Sequence, residues 1–163
     1  MLSLSNKNVI ETLKIFKSNN IDVAFIVPTS TGLKKSIMDA TNSVRNFLLQ
    51  KGIHDFDEQQ QGEEHKVICQ TTLIVDKTIV NTKTSFYRPR TKSGDPRIWI
   101  YKLTKYAKEG DLLAFIKTEN VLSVINCSRT DFKYLFDPNN VAVRKYVSSV
   151  NSMSSVAEEL LGK

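Results

Sequence analysis

The feature that most constrains the fold of this chain is a change in hydrophobic periodicity after residue 64. From there the sequence is rich in Val, Ile and Thr, and it divides into strand-length segments with short connections. These segments are 65–75, 79–87, 97–102, 111–117 and 121–127. Strands joined by short links pair antiparallel, because a parallel pair needs a crossover of about a dozen residues or more. The pattern therefore predicts an α+β fold built on a mainly antiparallel sheet.

Short helices are expected on either side of these strands. A capping box at Asn8–Glu11 predicts a first helix, and residues 21–27 have the pattern of a buried strand. Thr31 is the expected N-cap of a second helix, which extends to about Lys51. Helical patterns return after the last strand, over residues 131–136 and 141–150 and again from Ser155.

Length and composition are those of one globular domain. The chain has 163 residues, of which 40% are hydrophobic and 25% charged. We expect a domain over residues 1–150, followed over 151–163 by a helical tail or a linker to a further domain. Its longest apolar runs are of strand length, and its start lacks the pattern of a secretion signal. From these features we expect no membrane association and a cytoplasmic location. Cys69 and Cys127 lack metal-binding spacing, so we expect free thiols and no metal or other cofactor.

The positive charge of the chain is concentrated in one segment. The net charge is +6, whereas Lys83 to Lys108 alone contains eight basic residues and a single acid, Asp95, and so carries +7. The rest of the chain is therefore close to neutral, at −1. Such a local excess of cations indicates an anionic partner, and nucleic acid is the partner we expect.

The densest part of this segment is the stretch "FYRPRTKSGDPRIWI", residues 86–100. Pro89 stiffens the chain between Arg88 and Arg90, and Gly94 allows a tight turn. Arginine can read guanine in the major groove as a bidentate fork, whereas lysine suits phosphate oxygens. The candidate DNA-binding residues of the segment are Lys83, Arg88, Arg90, Lys92, Arg97, Trp99, Tyr101, Lys102 and Lys105.

The two aromatic residues of this set have two interpretations. Strand alternation places Ile98 and Ile100 on one face and Arg97, Trp99 and Tyr101 on the other. If the isoleucine face is the core, Trp99 and Tyr101 are available to a ligand. The alternative, which we prefer for Trp99, is that its ring is buried in the core.

Two further segments are candidate contacts. "PTSTGLKKS" has a strand, a glycine turn and a helix start, but it lacks the GxxxxGK[ST] pattern of a nucleotide-hydrolysing phosphate loop. Its helix could still hold a backbone phosphate through Lys34, Lys35 and Ser36, or be an ordinary capped helix. Arg129 and Lys133, where the chain leaves the sheet, could form a second contact arm or simply belong to a capping loop.

An enzymatic alternative is present in "DFDEQQQGEEHK". Metal-dependent nucleases place acids ahead of a Glu-x-Lys pattern, in which the acids hold Mg²⁺ and the lysine orients the attacking water. Glu64 and Lys66 fit this spacing, with Asp39, Asp55 or Asp57 as possible partners. Any acidic loop before a strand would produce the same pattern, so we expect the chain alone to be non-catalytic.

Three stretches together resemble one family. "VPTSTGLKKSIMDA", "HDFDEQQQGEEHKV" and "SFYRPRTKSGDPRIWIYKL" look like the N-terminal region of LlaJI-type, McrB-related restriction endonuclease subunits. The resemblance implies a B-three-like pseudobarrel that grips the major groove with two arms from its strand connections. It places one arm within Lys83–Lys105 and the other at Lys34–Ser36 or Arg129–Lys133.

The expected function is therefore sequence-specific binding of double-stranded DNA, as the target-recognition domain of a bacterial restriction endonuclease in phage defence. Its partners would be duplex DNA and further endonuclease domains or subunits. The Mg²⁺-dependent nuclease is the alternative, and an RNA-binding or protein-interaction domain is a third hypothesis.

Overall fold

A computed structural model describes residues 22–76, 78–118 and 121–130, together with residue 10. Apart from residue 10, the helix expected from Asn8 lies outside these ranges, as do the helices expected after residue 130 and the tail at 151–163. Residues 77, 119 and 120, which connect strand segments expected from the sequence, also lie outside them. Lys133 is likewise not described.

The described residues form a mixed α+β structure of seven strands and two α-helices, linked by short 3₁₀ turns. The helices are α1 (Ser30–Lys35) and α2 (Asn42–Gln50). Neither these nor any other described helix is long and apolar enough to cross a membrane. The strands are β1 (Ala24–Ile26), β2 (Ile37–Asp39), β3 (Val67–Val75), β4 (Thr78–Tyr87), β5 (Arg97–Ile100), β6 (Leu113–Thr118) and β7 (Val121–Asn126).

All seven strands belong to one sheet, in the order β1-β6-β7-β3-β4-β5-β2. Every neighbouring pair is antiparallel except β3 and β7, which run parallel. The prediction of a mainly antiparallel sheet is therefore confirmed. The strands from β3 to β7 that the sequence predicted are also confirmed, with ends that differ by one or two residues.

The sheet is curled into a half-barrel around one core. The strands β1 and β2 lie at opposite edges of the sheet, yet Ala24 of β1 and Met38 of β2 belong to the same hydrophobic cluster. The inward-facing residues of the other strands complete that cluster, and α2 contributes its buried face. The members from these elements are Val44, Phe47, Leu48, Leu73, Val75, Phe86, Ile98, Ile100, Leu113, Phe115, Leu122 and Val124.

The prediction of one continuous helix from Thr31 to Lys51 is wrong. Thr29 caps α1 by accepting a hydrogen bond from the Gly32 N–H at 3.0 Å, and Ser36 ends that helix in the left-handed conformation. The chain then forms β2, and Thr41 caps α2. Periodicity missed this break because residues 37–48 have apolar positions that suit either element.

The short connection from α1 to β2 depends on a glycine. A Cβ atom on Gly32 would lie 2.6 Å from the carbonyl oxygen of Ile37, closer than real Cβ atoms approach an oxygen. The absence of a side chain therefore lets α1 fold directly against the start of β2. This close approach positions β2 beside β5, where Ile37 pairs with Trp99 and Asp39 with Arg97.

A buried carboxylate joins the end of β7 to the loop before β6. The side chain of Asp111 is fully buried and accepts hydrogen bonds from Arg129 at 2.6 and 3.2 Å. Asn126 Nδ2 and the Lys108 N–H donate to it at 2.9 and 2.8 Å. Burial by itself would raise the pKa of Asp111, but these hydrogen bonds, led by those from Arg129, outweigh it and hold the pKa below its usual range.

We expect Asp111→Ala to destabilise the fold strongly, because it leaves a guanidinium, an amide and an N–H without their acceptor. The expected loss is about 3 kcal/mol in the free energy of unfolding, measured by urea denaturation. The exposed neighbour Glu109→Gln serves as the control and should change stability by less than about 0.5 kcal/mol. Equal effects of the two variants would contradict a structural role for the Asp111–Arg129 pair.

Candidate nucleic-acid interface

Strand alternation gives the half-barrel an outer face, and the part of it on β3, β4 and β5 is accessible. Two rows of side chains cross this part of the sheet. Ile68, Ser85, Trp99 and Ile37 share one row, and Tyr87, Arg97 and Asp39 share the next. The outer face of β6 and β7 differs, because Ala114, Ile116 and Ile125 there are buried. A ligand therefore has access to the β3–β5 part.

Two stacked aromatic rings occupy the centre of this accessible face. The centroids of Trp99 and Tyr101 lie 4.8 Å apart with 17° between the ring planes, and both side chains are half-buried. Neither belongs to the core, where Ile98 and Ile100 are fully buried. The interpretation of Trp99 as a core residue is therefore wrong.

A lysine ammonium lies over each of these rings. Lys66 Nζ is 4.9 Å from the centroid of Trp99 and 5.4 Å from that of Tyr87. Lys83 Nζ is 4.7 Å from the centroid of Tyr101. Burial raises the pKa of the Tyr87 phenol, and the charge of Glu63 adds to this shift, so the ring beside Lys66 is neutral at physiological pH. We call this set (Lys66, Lys83, Tyr87, Trp99 and Tyr101) the aromatic–lysine face.

A second group of lysines gathers at one end of β5. Thr104 Oγ1 lies 2.6 Å from Ser36 Oγ and donates to the carbonyl oxygen of Leu33 at 2.7 Å, although the two segments are 68 or more positions apart in sequence. These bonds bring the end of α1 against the turn Leu103–Lys105. The result is a lysine corner composed of Lys34, Lys35, Lys102 and Lys105, all exposed. It adjoins the aromatic–lysine face, since Lys102 follows Tyr101 directly.

The basic loop, residues 88–96, lies at the opposite end of β5. Arg88 is held inside it: its Nε donates to the Gly94 carbonyl at 2.9 Å and its Nη1 to the Gln59 carbonyl at 3.0 Å. Gly62 N–H donates to the Arg88 carbonyl at 2.7 Å, and Gln61 forms an isolated bridge with Arg88. Arg88 therefore fastens the basic loop to the acidic loop that precedes β3.

The other two arginines of the loop region are paired with acids. Arg90 forms an ion pair with Glu64, and its side chain remains 70% exposed. Arg97 pairs with Asp39 on β2 and is only 19% exposed. Of the three, Arg90 is thus the one whose guanidinium can exchange its partner for a ligand without disturbing the sheet.

The remaining sequence candidates lie in different settings. Ser36 is buried and its hydroxyl is engaged by Thr104, and Arg129 is engaged by Asp111. Lys92 belongs to the turn Lys92–Gly94 in the basic loop, and its side chain is not among those described. Arg97 also lines a cleft of about 640 Å³ between α1, β2 and the start of the basic loop, with Lys35, Asp39 and Tyr87.

The nuclease alternative gains no support from this arrangement. Glu64 is held by Arg90, and Lys66 extends over the aromatic rings. Asp55 accepts a hydrogen bond from the Asp57 N–H at the start of a 3₁₀ turn. In the described ranges no three His, Cys, Asp or Glu side chains are grouped so that they could hold a metal ion.

The sequence did not identify the roles of four residues that form or support this surface. Lys66 is predicted from the sequence only as a candidate catalytic residue, and Tyr87, Gln59 and Thr104 are not among the predicted residues. The alternation of β4 could have placed Tyr87 on the same outer face as Lys83. The partners of Gln59 and Thr104 are distant in sequence, so no local pattern could have identified them.

Gln59 anchors the acidic loop through a small buried network. Its Nε2 donates to the carbonyl oxygens of Phe86 and His65 at 2.8 and 2.9 Å. His54 Nε2 donates to Gln59 Oε1 at 2.9 Å, and the His54 ring stacks on Phe86 with centroids 4.8 Å apart. Burial lowers the pKa of His54, although the bond to Gln59 and the charge of Asp55 oppose the shift.

Comparison with known proteins identifies no relative of this chain. No family model matches it, and no curated protein or solved structure is significantly similar. The function is therefore inferred from geometry and charge.

We expect Arg88→Ala to loosen the basic loop. The substitution removes the charged donor of two carbonyl oxygens, so the free energy of unfolding should fall by about 1–3 kcal/mol. Tryptic cleavage within residues 88–97 should become faster. Arg88→Lys should rescue little, because an ammonium cannot reproduce the two-pronged geometry. The control is Arg90→Ala, whose exposed ion pair should contribute less than about 1 kcal/mol. Similar destabilisation by Arg88→Ala and Arg90→Ala would argue against the anchoring role.

We also expect stability to fall as the pH drops below about 6.5, the usual pKa of an unfolded histidine. The folded state resists protonation of His54, whereas the unfolded state accepts the proton, so the free energy of unfolding decreases until the lowered folded-state pKa is passed. Urea midpoints at pH 7.5 and 5.5 measure this decrease. It should be reduced in His54→Gln and persist in the control His65→Gln. An unchanged decrease in His54→Gln would assign the effect to other groups.

Proposed function

We propose that this chain is a DNA-binding module that contacts duplex DNA at the two ends of β5, through the basic loop and the lysine corner. The observation that carries the proposal is the convergence of two distant lysine-rich segments through the Ser36–Thr104 contact. Within the described residues, no carboxylate pairs with Lys34, Lys35, Lys102 or Lys105. Four unneutralised ammonium groups at one corner are suited to phosphate oxygens.

The roles of the basic residues differ in this proposal. The lysine corner holds the phosphate backbone and sets the orientation of the duplex. Arg90 is the candidate for a base contact, because it is exposed and its present partner, Glu64, is also at the surface. Arg88 and Arg97 are positioning residues: one fastens the basic loop, and the other fixes β2 against β5.

We further propose that the half-barrel is a B-three-like pseudobarrel and that the module recognises the target of a restriction endonuclease. The curled sheet is compatible with that fold. The basic loop and the α1 end with its neighbouring turn lie at the two ends of β5, as two gripping arms would. If recognition is specific, duplexes selected from a random pool by binding to the chain should share a consensus sequence. Comparing the selections from methylated and unmethylated pools would reveal any dependence on base modification. Recovery of random sequences from both pools would leave only non-specific binding.

We expect the salt dependence of duplex binding to report the interactions between lysines and phosphates. Removing one such interaction should reduce the slope of log K against log salt by about 0.9, so Lys34→Ala and Lys105→Ala should each lower it by that amount. The control is Lys51→Ala, because Lys51 pairs with Asp22 at the C-terminal end of α2, on the core side of the sheet. A slope unchanged in the two corner variants would contradict the proposed interface.

Arg90→Ala distinguishes base recognition from phosphate binding. On a selected duplex it should cost about 1–3 kcal/mol in binding and relax the consensus at one position. Equal weakening on selected and random duplexes would make Arg90 a phosphate ligand. No binding of any duplex by the folded chain would overturn the proposed function.

A further inference from the structure

We propose that the aromatic–lysine face is a stacking site for unpaired nucleotides, in which Lys66 and Lys83 occupy the places that bases take when a strand binds. This inference rests on the proposed function, since it assumes a nucleic-acid ligand. It goes further by naming a second class of substrate, single-stranded DNA or an unpaired stretch within a duplex. The lysine corner and the basic loop serve paired DNA, whereas this face would serve bases that have left the helix.

The first argument is the geometry of the rings. Trp99 and Tyr101 stand nearly parallel, with 4.8 Å between their centroids. Planar rings held in this way form a ready-made platform, because every nucleobase has a π-face that can stack on them. Ser85 donates a hydrogen bond to the Tyr101 hydroxyl at 3.3 Å, which helps to fix the ring before any ligand arrives. Binding would therefore cost little conformational entropy at the platform.

The second argument is the position of the two ammonium groups. Lys66 and Lys83 lie 4.9 and 4.7 Å from the ring centroids of Trp99 and Tyr101. The centroids of paired aromatic rings lie about 4.5–7 Å apart, so a base could occupy the same places. No carboxylate of the described residues pairs with either one. A lysine side chain is long and flexible, so each ammonium can swing to a phosphate while a base takes its place over the ring. Stacking of a base stabilises a complex more than a lysine over the same ring does, so the exchange favours the bound state.

The third argument is an exposed apolar residue on the same face of the sheet as the rings. Ile68 is 52% exposed and lies in the same row of the sheet as Trp99, two positions away across Ser85. An exposed isoleucine on the same face as the aromatic pair adds apolar area that a bound strand can cover. Bases inside a duplex are already stacked on one another, so only unpaired bases can use this surface.

The experiment uses Trp99 as its own probe, because it is the only tryptophan in the chain. The full chain is titrated with single-stranded oligothymidylate, an abasic strand of equal length and a blunt duplex, and tryptophan fluorescence is followed. We expect strong quenching by oligothymidylate and little by the abasic strand or the duplex, even where anisotropy shows that these bind. Equal quenching by the abasic strand, or binding of oligothymidylate with no change in Trp99 emission, would overturn the inference.

Three variants separate stacking from charge. Tyr101→Ala should weaken oligothymidylate binding about tenfold, and by a smaller factor for duplex, whereas Tyr101→Phe retains the ring and should bind nearly as well as the wild type. Lys66→Ala should keep the quenching and reduce the single-strand salt slope by about 0.7. Loss of quenching in Lys66→Ala would overturn the exchange. Thermal melting of each variant checks that it is folded.

The two proposals fail in different ways. If the lysine-corner variants change the duplex salt slope while Tyr101→Ala and Tyr101→Phe bind oligothymidylate equally, the stacking site is wrong and the duplex interface stands. If the folded chain binds neither single strand nor duplex at low salt, both proposals are wrong.

Discussion

The pairing of β2 with β5 is the constraint on which the rest of this structure depends. Three residue pairs hold these strands together, and Ser36, immediately before β2, accepts a hydrogen bond from the Ile100 N–H at 3.1 Å. The contact adds the last strand to one edge of the sheet, while the same stretch of chain has just supplied β1 at the other edge. A chain that must reach both edges within so few residues curls the sheet, and the curl divides it into a core face and an outer face.

That single pairing also explains how charge becomes organised at the surface. Because β2 and β5 run antiparallel, the residues before β2 and those after β5 meet at the same end. Lys34 and Lys35 precede β2, whereas Lys102 and Lys105 follow β5, so the fold brings them to the same end of the sheet. The hydrogen bonds between Ser36 and Thr104 offset the repulsion of like charges at this corner.

The sequence predicts those features of the fold that depend on local patterns, and it does not predict those that depend on contacts between distant residues. The strands from β3 to β7 were predictable because alternation is local, and so was the fully buried position of Ile98 and Ile100. The break at Ser36 was not, since β2 exists only because β5 is there to pair with it. The same holds for the site: the lysine-rich stretches are visible in the sequence, but their meeting is not. Nor does charge counting reveal that Arg88 is used to hold the basic loop.

Arginine and lysine have different roles at this surface. Arginine forms two-pronged hydrogen bonds of fixed geometry, and three arginines use them inside the protein: Arg88, Arg97 and Arg129. Among the arginines of the described interface region, only Arg90 is largely exposed. Lysine, a mobile point charge, supplies the exposed cations of the corner and those lying over the rings. A surface whose arginines are engaged internally and whose lysines face solvent can rearrange its cations around a ligand. In the proposed interface, specificity would come from the loop that carries Arg90 and from the Trp99–Tyr101 platform, while the lysines would supply attraction to nucleic acid.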